Sequence, residues 1–344
     1  MTPSAKAAVL VGAAAAGVVA ARRRASSGAP ERPAPVAPQP LPGRDLRVRT
    51  QDGVELAVVE HGAQQGATAT VLLAHGYVQS SALWDGQVRD LVKARPDLRV
   101  VTYDHRGHGR SGRTPREAAT FEQLALDMLA VLDAVAPDGP VVVAGHSMGG
   151  MTIMALAEEH PELFGDRIAG VAFLASSSGD MDAVTHGLPA PVARAVKKAL
   201  PRLSELAVRA EAKGRPRPVG VFDSRLVFPR GVDPALVRSV LEVHRGTPAE
   251  TAAAFLPAFS THDRLRVLEA LAHVPSVVIG GEKDLTCPVE HSLAIADALP
   301  ASELTVFPGV GHMVHLERRA EVSRILLSLV ERAGTPRPRT LTAV

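Results

Sequence analysis

The chain has 344 residues, 46% hydrophobic and 22% charged, which excludes a wholly disordered polymer and suits one large core carrying an insertion. Its formal net charge is +2 and its body holds no basic run interleaved with aromatics, so nucleic acid is excluded as an expected partner. The single cysteine, Cys287, excludes an intrachain disulfide and a cysteine-based metal site; aromatics at 3% leave Ala, Val and Leu to fill the interior.

Residues 7–21 are an uncharged run of Ala, Val, Leu and Gly, followed at once by Arg22, Arg23 and Arg24. Such a run is shorter than the roughly 20 residues that span a bilayer comfortably. It reads as an N-terminal membrane anchor, with the arginines holding the following domain on the cytoplasmic side. A cleaved export signal and a disordered tail are the alternatives. Residues 29–43, APERPAPVAPQPLPG, read as an extended Pro-rich spacer.

Beyond the spacer, residues 46–49 and 54–60 flank Gln51-Asp52-Gly53 and predict an antiparallel hairpin. An apolar strand is expected at 70–74, a helix at 88–93, a second strand at 98–103 and a helix at 121–135. Val141 to Val143 form a short buried strand, the turn Gly145-His146-Ser147-Met148-Gly149 follows, and a helix runs from 151 to 160, before Pro161. Another strand is expected at 168–174. Pro and Arg then become frequent, helical patches occur at 192–200 and 234–244, and no core strand is visible before about residue 261. The alternation resumes with a helix at 263–271, a strand at 276–280, a helix at 289–299, a strand at 304–307 and a last helix at 316–332. Apolar strands alternating with helices predict an α/β domain, a mainly parallel sheet covered on both faces. Ligands of such sheets collect at the carboxyl ends of the strands.

The G-x-S-x-G pentapeptide sits on a strand-to-helix turn tight enough that side chains at Gly145 and Gly149 would collide. Ser147 is then expected in a strained backbone conformation, its hydroxyl in solvent above the sheet edge at a helix N-terminus. A serine hydroxyl becomes a nucleophile when a base takes its proton and an acid orients that base. His312, on the Gly-rich loop after the last strand, is the expected base, while His315 reads as a packing or surface residue. For the acid, Asp284 is chosen after the strand at 276–280, with Glu282 as runner-up. His75, His105, His108 and His146 are expected to make loop hydrogen bonds, and Asp104 to accept hydrogen bonds that hold its own loop. Developing charge on a carbonyl oxygen needs two fixed donors; the backbone N–H groups of Met148 and Tyr77 are the expected pair. A metal reading of His312 to His315 fails for want of a third ligand.

With these residues placed, the chain resembles the α/β-hydrolase fold serine hydrolases, in their monoacylglycerol-lipase-like and esterase branch. The matching pieces are HGY from His75, DHRGHGRS from Asp104, GHSMGG from Gly145, GEKDLTCP from Gly281 and GVGHMVHLE from Gly309, in the family's order over residues 45–333. The resemblance implies an α/β-hydrolase fold with a helical cap and a Ser147–His312–Asp284 triad without metal or organic cofactor. It divides the chain into the apolar segment and linker (1–43), a first core part (44–179), a cap (180–261), a second core part (262–333) and a tail (334–344). The implied activity is hydrolysis of carboxylic esters with apolar acyl chains through an acyl-serine. The same fold also serves thioesterases, perhydrolases, C–C hydrolases and ligand receptors. Epoxide hydrolases and dehalogenases carry Asp where Ser147 stands. The implied partner is a small-molecule ester, with membrane contact assigned to residues 7–21; oligomeric state is not readable.

Overall fold

The computed structural model describes residues 41–215 and 221–334. The anchor reading of residues 7–21, the Pro-rich spacer up to residue 40 and the tail beyond Gly334 lie outside the described residues. The hairpin forms as expected: β1 (Arg44–Arg49) pairs antiparallel with β2 (Glu55–Gly62). The chain continues through β3 (Thr70–Ala74), α1 (Asp85–Ala94), β4 (Arg99–Tyr103), α2 (Phe121–Val135), β5 (Val141–His146), α3 (Met148–Glu159) and β6 (Ile168–Leu174). The second half of the core holds β7 (Ser276–Gly281), α8 (Val289–Ala298) and β8 (Glu303–Phe307). It closes with α9 (Val314–Glu317) and α10 (Arg319–Ala333). Between β6 and β7 lie α4 (Ala190–Glu211), α5 (Val221–Val227), α6 (Pro234–Gly246) and α7 (Ala249–Thr261).

The strands form one eight-stranded sheet in the order β1-β2-β4-β3-β5-β6-β7-β8. Pairing is antiparallel from β1 through β4 and parallel from there to β8. The period-2 geometry of a strand explains why β5 reads as an unbroken apolar run. Val141 and Val143 join the core cluster that includes Leu124 and Met128 of α2. Val142 and Ala144 point the other way, into the cluster that includes Leu91 of α1 and Leu326 of α10. The chain leaves β3 toward β4 on one side and returns to β5 on the other. That reversal opens the crevice in which such sheets place their sites.

The Asp104-to-Ser111 loop is held by an ion-pair knot. Arg106, 0% exposed, gives Nε and Nη2 to Asp127 of α2 at 2.7 and 2.6 Å, and Nη1 to Asp52 of the β1–β2 turn at 2.7 Å. Asp127 is as deeply buried as its partner. Removing Asp127 takes away the fully buried partner and leaves Arg106 only Asp52, so Asp127→Ala is expected to cost stability toward the lower end of about 3–5 kcal/mol. Chemical denaturation of wild type and variant measures this; a loss below about 1 kcal/mol would show that water reaches the guanidinium.

Three elements differ from the sequence expectations. Helix α7 escapes periodicity analysis because Ala249, Thr251, Ala252, Ala253, Ala254, Phe255 and Ala258 are all buried and Pro257 interrupts the pattern. The segment 263–271 is a 3₁₀ turn, Arg266–Leu271, rather than a regular helix. The expected last helix divides at Arg318, whose φ of −124° breaks the helical path between α9 and α10. Among the described residues no helix is long and apolar enough to cross a membrane.

Candidate active site

The turn after β5 is pinned from several sides. Ser147 has φ 52° and ψ −115°, outside the regions L-residues prefer, and α3 begins at the next residue. Its N–H donates to the Leu174 carbonyl at 2.8 Å, and its carbonyl accepts from the Ser176 hydroxyl at 2.9 Å. A Cβ at Gly145 would strike the backbone of Gly149 and Gly150, and one at Gly149 would strike the carbonyl of Ala74 in β3. Only glycine lets helix and strand come this close. The hydroxyl itself is not in open solvent as expected: Ser147 is 5% exposed. The helices inserted after β6 reach the loops around it. Their Leu226, Val227 and Ala252 carbonyls each accept a hydrogen bond from a loop of the site.

On the neighbouring strand, the loop His75-Gly76-Tyr77-Val78-Gln79 is built around one peptide plane. The His105 N–H donates to His75 Nε2 at 2.9 Å, so the His75 proton lies on Nδ1 and is donated to the Gly76 carbonyl at 2.7 Å. In a trans peptide the N–H points opposite to the C=O. The Tyr77 N–H therefore faces away from His75. Gln79 Oε1 accepts the Gly76 N–H at 3.0 Å, and Val78 takes φ 52°, a costly conformation for a β-branched residue. Sequence reading placed His75 among loop hydrogen-bonders but missed that it sets this plane; it missed Gln79 and strained Val78 altogether, since neither carries a local signal.

Asp284 and His312 meet after β7 and β8. His312 Nδ1 lies 2.8 Å from Asp284 Oδ2, both residues buried. Asp284 Oδ1 accepts the N–H groups of Thr286 at 2.7 Å and Cys287 at 2.9 Å. An acceptor-only carboxylate requires the proton on Nδ1, which leaves Nε2 of His312 with its lone pair. The backbone of His312 is fixed as well: its N–H donates to Val227 at 3.0 Å and its carbonyl accepts from His146 Nε2 at 2.9 Å. Through His146, the residue before Ser147 grips the backbone of His312. Cys287, whose N–H serves Asp284, is itself fully buried. Burial pushes its thiol well above its ordinary pKa, so it stays protonated.

Glu282 is exposed, and its carboxylate accepts from Gly309 N–H at 2.8 Å and Lys283 Nζ at 3.1 Å, away from His312. Asp104 holds its loop as expected, accepting from the N–H groups of Ser81 at 2.7 Å and Arg110 at 2.8 Å. His108 accepts the Val78 N–H at 3.3 Å, and His105 Nε2 donates to the His75 carbonyl at 3.0 Å. Among the described residues no group of three or more His, Cys, Asp or Glu side chains is placed to hold a metal ion.

His315 is packed between Trp84 and His146, ring centroids 4.7 and 4.4 Å away, with both ring nitrogens buried and without partners. Burial, reinforced by His312, drives its pKa down to about 3. In the unfolded chain the imidazole titrates near 6.5, above the folded value, so the denatured state takes up the proton first as pH falls. This part of the stability is complete above about pH 6.5 and drains away toward pH 3, at up to about 1.4 kcal/mol per pH unit. His315→Phe is expected to flatten the fall in urea midpoint between about pH 6 and 4. Parallel curves for wild type and variant would mean that the ring is hydrated in the folded protein.

An eight-stranded, mainly parallel sheet with a nucleophile-type turn after β5 and an acid–imidazole pair after β7 and β8 defines the α/β-hydrolase class. Residues 69–319 match the family described as alpha/beta hydrolase fold. The chain belongs to that family. RutD of Caulobacter segnis, provisionally named a carbamate hydrolase, is 40% identical over 117 residues, 34% of this chain and 42% of that protein. The chain thus spans less than half the length of this relative. Monoacylglycerol lipase of Mycolicibacterium smegmatis is 28% identical over 255 residues, 72% of this chain and 82% of the lipase. Among solved structures, an esterase (EaEST) from Exiguobacterium antarcticum superposes with a TM-score of 0.68 at 20% identity. That superposition covers 83% of this chain and 98% of the esterase. At that identity the likeness concerns the fold alone.

Proposed function

We propose that this protein is a serine hydrolase that cleaves carboxylic esters through an acyl-Ser147 intermediate. The observation that carries the reading is the 2.8 Å contact between His312 and Asp284, on a backbone gripped by the residue preceding Ser147. In the first step Ser147 Oγ bonds to the ester carbonyl carbon while His312 Nε2 takes its proton. The carbonyl oxygen becomes an oxyanion, received by the N–H groups of Met148 and Tyr77. Collapse breaks the carbon–oxygen bond to the leaving alcohol, which takes the proton back from His312. Water then repeats the sequence on the acyl-serine, releasing the acid and restoring Ser147. Asp284 holds the imidazole in one tautomer and stabilises the imidazolium that forms twice per turnover.

Residues 180–261 act as a cap over this site, between the core parts 44–179 and 262–333. The burial of Ser147, and the hydrogen bonds that the Val227 and Ala252 carbonyls accept from His312 and Tyr77, support this division. The apolar lining expected of such a cap, and the similarity to a monoacylglycerol lipase, favour esters with apolar acyl chains. Residues 7–21 tether the enzyme to a membrane, with residues 29–43 as the spacer. A fluorophosphonate probe tests the central assignment: intact-mass analysis should show one adduct on wild type and none on Ser147→Ala. Equal labelling of both would overturn it.

A further inference from the structure

Helix α4 is unlike the rest of the surface. Val192, Leu200, Leu203 and Leu206 are four of the eight large hydrophobic side chains exposed among the described residues, and Leu206 is 58% exposed. Exposed leucines on a soluble protein are normally scattered singly. Here Val192, Ala195, Ala199, Leu203, Leu206 and Ala210 recur at helical spacing and make one continuous stripe. The face that packs inward is a different one, marked by buried Ala193 and by Glu211, whose Oε2 accepts the Ala249 N–H of α7 at 2.8 Å. Beside the stripe runs a row of exposed cations, Arg194, Lys198, Arg202 and Arg209, and none of them makes an ion pair with a described residue. The helix carries five Lys and Arg residues against Glu205 and Glu211.

We propose that α4 docks the protein on an anionic lipid surface, with Val192, Leu203 and Leu206 entering the acyl boundary and the four cations lying at phosphate level. A helix of 22 residues is about 33 Å long, enough to lie in the interface plane. Long cationic side chains reach from such a position to the headgroups while their stems stay on apolar surface. Charge complementarity selects lipid over a second copy of the chain. Two α4 helices face to face would bring like-charged rows together, whereas anionic headgroups gain about 1 kcal/mol per Lys or Arg near the surface. The docked helix is one layer from the site, because α7 beneath it accepts the Tyr77 hydroxyl on the Ala252 carbonyl at 2.6 Å.

The test uses the full chain carrying Ser147→Ala, so that binding is read apart from turnover and stands whether or not Ser147 is the nucleophile. Vesicles of phosphatidylcholine containing phosphatidylglycerol should bind at least about tenfold more tightly than phosphatidylcholine alone. Leu203→Asp with Leu206→Asp, both at exposed positions, should cut that gain severalfold, down to what residues 7–24 contribute, without changing the circular dichroism spectrum. In Leu206→Trp, the new indole should shift to shorter wavelength on vesicles and be quenched by brominated acyl chains, with buried Trp84 as the unquenched reference. Vesicle binding without quenching at position 206 would mean that another segment holds the membrane, and would overturn the proposal. So would equal affinity of the double variant, or a dimer in sedimentation velocity that the double variant dissolves.

Discussion

Replacement of Ser147 by alanine is expected to lower kcat for ester hydrolysis by about 10⁶-fold, with the fold intact. The size of the effect follows from what the residue does in the proposed reaction: without Oγ there is no acyl intermediate. What remains is a carbonyl bound beside two amide donors and an imidazole with no hydroxyl to deprotonate. A residual 10³- to 10⁴-fold rate enhancement over water, of the order left when a triad is dismantled, is therefore expected. Stability should change little. The backbone strain at φ 52° is imposed by β5, α3 and the Leu174 and Ser176 contacts, which involve the Ser147 backbone and are kept by alanine. Steady-state kinetics with a p-nitrophenyl ester series, alongside thermal melts, measures both. A variant that retains more than about 1% of wild-type kcat would require a different nucleophile.

The second large effect is expected from Asp284→Asn, about 10⁴-fold in kcat. The two atoms of the side chain have different duties. Oδ1 accepts two backbone N–H groups, from Thr286 and Cys287, while Oδ2 receives the imidazole. Asparagine satisfies the backbone pair with its single oxygen and so turns its NH₂ toward His312 Nδ1. That nitrogen must then be an acceptor, and the ring proton moves to Nε2, where the serine proton has to go. The loss is thus one of tautomer rather than of structure, and the melting curve should move little. Glu282→Gln is the matched control. Its carboxylate is exposed and bonded to Gly309 and Lys283, so activity should stay within a few-fold of wild type. An inactive Glu282→Gln beside an active Asp284→Asn would reverse the assignment of the acid.

Local signals carried most of the sheet. β3, α2 and β6 occupy the residues that periodicity assigns, because each is a run whose neighbours across the sheet or in the core are equally apolar. The turns that carry Ser147, Asp284 and His312 were equally legible. Each lies in a turn between a strand and a helix, and turn chemistry is written in adjacent residues. The inserted helices were harder. α7 is buried nearly all round, and α4 runs through Pro201 to twice the length its first apolar patch indicates.

Sequence alone determined the alternation of strands and helices, the tight turn at Ser147 and the loops that carry the candidate residues, because these depend on neighbours within a few positions. Only the tertiary structure decided that Asp284 rather than Glu282 faces the imidazole, that Ser147 is covered rather than open, and that His75 fixes the Gly76–Tyr77 peptide. Each of those outcomes rests on partners far along the chain, such as Val227 with His312 or His105 with His75, and such pairings leave no trace in local composition. They are set when the strands take their places in the sheet.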